Sequence, residues 1–138
     1  MLSRGLRNCN PGNIRHSKAH YKGERAEQTD RSFKQFESLA AGYRAMFVLL
    51  HTYSVRGYGN TISQIIARYA PPVENNTDGY IARVERSSGI DRDMPLDTLS
   101  AEQMIPVVCT MSAVENGVAA DLTAVEEGWQ MFVEDFGE

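Results

Sequence analysis

After Ser38, apolar side chains recur at i, i+3, i+4 and i+7 along most of the chain, the period of amphipathic helices. Leu39, Tyr43, Met46, Phe47 and Leu50 share one face of a segment reaching about Val55, and Gly57 with Gly59 ends it. This is the predicted central core helix. Thr61 opens a shorter helix with Ile62, Ile65, Ile66 and Tyr69 inward, stopped by Pro71-Pro72. Asn76 or Thr77 caps a third, with Tyr80, Ile81 and Val84 inward and its end near Gly89. A polar connector, 91–97, follows. Ser100 and Gln103 then read as a capping box for a helix with Met104, Val107, Val108, Met111 and Val114 on one face, stopped by Gly117. Pro106 should bend that helix or restrict its start. Thr123 and Glu126 make a second capping box, for a last helix carrying Val125, Trp129, Phe132, Val133 and Phe136.

The first third of the chain lacks this period. Residues 4–15 (RGLRNCNPGNIR) concentrate Asn, Gly and Pro, which build shaped polar loops. Residues 16–36 suggest an irregular hairpin in which Phe33 and Lys34 turn opposite ways. Glu24, Glu27 and Asp30 within it read as solvated surface charges. The expectation is a mainly α (α+β) protein, a helical body with a small loop and β-hairpin lobe. No internal repeat or long linker divides it, so residues 1–138 read as a single domain.

Composition narrows the function classes. Residues 1–60 hold ten Lys/Arg against four Asp/Glu, and residues 61–138 hold four against fourteen, for a net charge of −4. The scattered cations of an acidic chain are not the footprint of a nucleic-acid binder. No apolar run is long enough to span a bilayer, and Met1 to Arg7 lacks the apolar core of a secretory signal, so neither membrane insertion nor signal-directed export is expected. Cys9 and Cys109 match no zinc spacing and read as free thiols. His16, His20 and His51 form no ligand set, so neither a metal nor another cofactor is expected.

Glu115 is the candidate for chemistry. It falls in the last turn of an apolar helix, where the helix dipole and partial burial both disfavour the charged form and raise its pKa. A carboxylic acid kept protonated near neutral pH serves as a general acid. The competing reading is an ordinary acid at a solvated helix end. Asn8, Asn10 and Asn13 present amides suited either to sugar hydroxyls and N-acetyl groups or to the local backbone. Tyr69 and Tyr80 suit sugar stacking or core packing. Glu74 either caps the following helix or faces a cleft.

Four segments carry a resemblance: RGLRNCNPGNIR (4–15), FKQFESLAAGYRA (33–45), Ile62 through YAPPVENNT to Tyr80, and AVENG (113–117). Together they resemble a family of phage and prophage structural proteins related to lytic transglycosylases, glucosaminidases and other enzymes of lysozyme-like fold. Cys9 stands where that pattern has Asn. In those enzymes the helix ending in the catalytic Glu precedes the Asn-rich loop, whereas here it lies near the C-terminus. The resemblance therefore implies a circularly permuted lysozyme-like domain in which Glu115 returns to the loop, as nearby termini allow. It also implies a peptidoglycan-cleaving lytic transglycosylase or muramidase acting on the bond between N-acetylmuramic acid and N-acetylglucosamine. Glu115 would be the acid and base, and Asn8, Asn10, Asn13, Arg15, Tyr69, Glu74 and Tyr80 would bind substrate. The alternative is a non-catalytic virion or tail component that binds glycan or other virion proteins. Either places the protein in the virion, or in the bacterial cytoplasm before release to the cell wall.

Overall fold

Helices follow one another along most of the chain in the computed structural model, which describes residues 1–73 and 75–137. They are α1 (Arg4–Arg7), α2 (Leu39–Val55), α3 (Ile62–Tyr69), α4 (Thr77–Ser88), α5 (Ala101–Asn116) and α6 (Leu122–Phe136). The protein is mainly helical, with β pairing among the described residues limited to isolated antiparallel bridges at Arg15–Phe33 and Glu24–Phe36.

The starts of these helices follow local chemistry. Ser38, Thr61, Asn76 and Ser100 each accept a backbone N–H from the first turn of α2, α3, α4 and α5. Gly89 and Gly117 stop α4 and α5 at φ of 73° and 71°, a left-handed conformation that costs glycine little. The box expected at Ser100 is half made, because the Gln103 side chain accepts from Asp97 N–H instead. The helix α5 runs through Pro106 without interruption. The start of α6 differs from expectation: Asp121, rather than Thr123, is the cap, its carboxylate accepting from Ala124 N–H at 3.2 Å. Aspartate caps at least as well as threonine, and the earlier start adds Leu122 and Thr123 to the helix.

The core forms around α2, which is buried on nearly every side from Ala40 to Leu50. Its main partner is α6. Phe47 meets Trp129 edge-on at 4.9 Å between centroids, and Phe132 packs at 6.0 Å from Phe47. Gly128 permits this approach, because a Cβ there would lie 2.8 Å from both the Ala40 carbonyl oxygen and the Tyr43 Cβ. Across the core, α4 packs on α3 and α5, burying Tyr80, Ile81, Val84, Met104, Val107 and Met111. No described helix is long and apolar enough to cross a membrane.

The lobe from residue 16 to 36 is held by polar groups. Lys34 is 1% exposed, and its ammonium donates to Ala19 O at 2.8 Å and to both Glu24 oxygens at 3.2 and 3.3 Å. Asp30, expected as a solvated charge, has a side chain only 9% exposed. Its oxygens accept from Arg4 Nε and Nη2, from Asn8 Nδ2, and from the backbone of Ser32 and Phe33. Glu24 is likewise partly buried. A segment with few apolar residues closes in this way around paired charges, since a buried charge needs a partner.

Candidate active site

The last turn of α5 delivers Glu115 to the polar loop at the other end of the chain. Asn13 Nδ2 donates to Glu115 Oε1 at 2.9 Å across 102 residues of sequence. The Tyr80 hydroxyl, presented by α4, donates to Oε2 at 3.1 Å. Burial pushes the Glu115 carboxyl above its ordinary pKa, while these two donors and the charge of Arg15 act against that rise. The Tyr80 hydroxyl also lies 3.4 Å from Met111 O, an alternative acceptor when Glu115 is protonated.

The loop is shaped by its own asparagines and clamped from both sides. Asn10 is 0% exposed, its amide donating to Ile14 O and Lys34 O and accepting from Ile14 N–H. Asn8 caps the end of α1 and bonds Asp30 and Gln35. Asn13 takes φ of 50°, a conformation asparagine tolerates better than most residues, and so turns its side chain toward Glu115. Asn116, the neighbour of Glu115, donates to Pro11 O at 2.8 Å and accepts from the Ser3 hydroxyl at 2.7 Å. The Tyr69 hydroxyl donates to Gly12 O. Behind the loop, Gly42 of α2 faces the Cys9 carbonyl and the Pro11 ring with no room for a Cβ.

Three cavities adjoin at this point. One, of about 380 Å³, is lined by Asn13, Arg15, Phe33, Tyr69, Asn75 and Glu115. A second, of about 370 Å³, shares Glu115 and Asn75 and adds Asn76, Tyr80 and Arg83. A third, of about 260 Å³, shares Asn13, Arg15 and Tyr69 with the first and extends to Tyr21 and Tyr53. Shared walls make them one groove with Glu115 away from its ends, a form suited to an extended chain.

Of the residues expected to bind substrate, Asn13, Arg15, Tyr69 and Tyr80 gather with Glu115, and Glu74 lies outside the described residues. Asn8 and Asn10 correct the expectation. Both are buried, and their amides are taken up by the loop they shape rather than turned to the groove. Tyr80 also departs from a stacking role, since its ring is buried and only its hydroxyl reaches the carboxylate. Sequence reasoning passed over Arg83 and Asn75. The signal for Arg83 was its place three residues after Tyr80, on the same helical face.

Arg15 stacks over Phe33 at 5.1 Å, and Arg4 lies over the same ring at 4.7 Å, a cation–π arrangement that supports this wall. Both cysteines are free thiols and half-buried. Among the described residues no cluster of His, Cys, Asp and Glu could hold a metal ion.

No protein-family model matches the chain. Protein P5 of Pseudoalteromonas phage PM2 is 38% identical to it over 118 residues, which cover 83% of this chain and 72% of that phage protein.

Proposed function

The chain belongs to the family of the phage Protein P5, and from the geometry of its groove we propose that it cleaves the glycan strand of peptidoglycan as a lytic transglycosylase or muramidase. The observation that carries this reading is a half-buried carboxyl, raised in pKa by desolvation, in a groove walled by asparagine, tyrosine and arginine. The bond from Asn13 to Glu115 supports a permuted lysozyme-like arrangement, in which the C-terminal catalytic helix closes onto the N-terminal loop.

Glu115 donates its proton to the glycosidic oxygen, and the bond from that oxygen to C1 of N-acetylmuramic acid breaks. Among the described lining residues Glu115 is the one carboxylate, which favours a route in which the substrate's own 2-acetamido oxygen closes on C1. Ionised Glu115 then takes the proton of the C6 hydroxyl. O6 displaces the acetamido oxygen from C1, and a 1,6-anhydro product leaves. Asn13 and Tyr80 donate to the ionised carboxylate and hold it in place.

Digestion of purified peptidoglycan, with the muropeptides read by mass spectrometry, tests the proposal. The parent should release anhydro-muropeptides, and Glu115→Gln should lose at least about a hundredfold in rate, the scale of general acid catalysis. Equal activity in both would move the chemistry away from Glu115. No activity from a folded parent would favour a glycan-binding virion component.

A further inference from the structure

The two ends of the groove differ in chemistry. On the α4 side of Glu115 the walls are largely polar, with Asn75, Asn76 and Arg83. On the other side the groove passes Asn13 and Tyr69 into the cavity of about 260 Å³, which Glu115 does not line. There Tyr21, Leu49, Tyr53 and Tyr69 supply aromatic and aliphatic surface, and His16 and Ser17 add polar groups.

Three separate segments bring these tyrosines together: Tyr21 comes from the polar lobe, Tyr53 from the last turns of α2 and Tyr69 from the end of α3. All three pack on the core yet stay half-buried. Burial pushes the Tyr21 hydroxyl up to about 12, and the nearby Tyr53 adds to that rise. Tyr69 has a structural task, donating to Gly12 O. The rings of Tyr21 and Tyr53 are each backed by a cation, with Lys34 Nζ 5.7 Å from the Tyr21 centroid and Arg68 Cζ 5.4 Å from that of Tyr53. Rings fixed in this way lose little freedom when a ligand settles on them.

We propose that Tyr21 and Tyr53 form a distal sugar-stacking subsite, where the apolar face of one pyranose ring packs on the tyrosine rings while Glu115 acts further along the same strand. The inference rests on the glycan-cleaving reading of this groove, from which it takes the chemistry of the occupant. A pyranose presents C–H groups on its faces and hydroxyls around its rim. A cavity with aromatic walls and a small number of polar groups matches both. Such a subsite makes affinity depend on strand length, because a strand has to reach from Glu115 into the third cavity to use it.

The test is titration calorimetry of the full chain in a Glu115→Gln background, which keeps strands intact. The probes are peptide-free peptidoglycan glycan strands of defined length, from disaccharide to octasaccharide. Lengthening the strand over that range should tighten binding about tenfold. Tyr21→Ala and Tyr53→Ala should each weaken the octasaccharide about three- to tenfold and so remove most of the gain with length. Tyr21→Phe and Tyr53→Phe, which keep the ring faces, should retain that gain. Because the two rings sit on separate segments, misfolding of one alanine variant leaves the other to decide. An undiminished gain in both alanine variants, equal losses in the phenylalanine and alanine variants, or no gain with length before either ring is changed would overturn the inference. Cleavage of peptidoglycan by the parent alongside any of these results would leave the assignment of Glu115 standing. A gain with length that depends on the two rings, without cleavage by the parent, would overturn the enzymatic reading alone.

Discussion

Glu115 and Tyr80 share a hydrogen bond whose direction sets a pH response. The Tyr80 hydroxyl donates to the carboxylate and so stabilises its ionised form, opposing the desolvation that raises the pKa. Tyr80→Phe removes that donor and should raise the Glu115 pKa further. In the proposed mechanism Glu115 works as a general acid while protonated, so activity should fall as pH rises through this pKa, and the alkaline limb of the pH–rate profile should move upward in the variant. Profiles of kcat/KM against pH for both proteins check this, and a downward shift would contradict the role given to Tyr80. At this scale the sequence was informative about Glu115, because helix end and apolar neighbours are local facts. It was uninformative about the three asparagines. Asn8, Asn10 and Asn13 are the same residue type in one polar loop, and only the folded loop buries two and turns the third to the carboxylate.

Helix starts were the most legible elements. Ser38, Thr61, Asn76 and Ser100 cap because a short oxygen-bearing side chain in extended or turn backbone reaches N–H groups two or three residues ahead, and that reach needs no tertiary partner. The last helix was expected to start at Thr123, and the structure caps it with Asp121 instead. Asp121→Ala should therefore cost about 1 kcal/mol of stability, with Thr123→Ala near neutral. Urea unfolding of both variants decides it, and the reverse ranking would place the start of α6 two residues later. The lobe of residues 16–36 was the least legible. Its order comes from side chains such as Lys34 and Asp30 meeting partners on other segments, so alternation along the strand says little about which charges are buried.

For the whole molecule, stability and site geometry rest on different contacts. The α2–α6 packing around Phe47, Trp129 and Phe132 supplies much of the apolar burial, whereas Asn116 ties the end of α5 to Ser3 and Pro11. Phe132→Ala should cost about 3–5 kcal/mol while the protein that remains folded keeps its activity. Asn116→Ala should cost less, about 1–3 kcal/mol, yet lower activity more, because the loop bearing Asn13 is no longer held against α5. Thermal unfolding and peptidoglycan digestion on the same samples separate the two effects, and parallel losses in both variants would show that fold and site are not separable. The sequence by itself determined helices α2 to α6, most of their ends, the central place of α2 and the position of Glu115 on its helix, but read the short α1 as part of a polar loop. These follow from periodicity and capping within a few residues. Only the tertiary structure decided that Asn13 and Tyr80 hold Glu115, that Asn8 and Asn10 are internal, and that Arg83 joins the groove, because each depends on segments far apart in the chain meeting at one face.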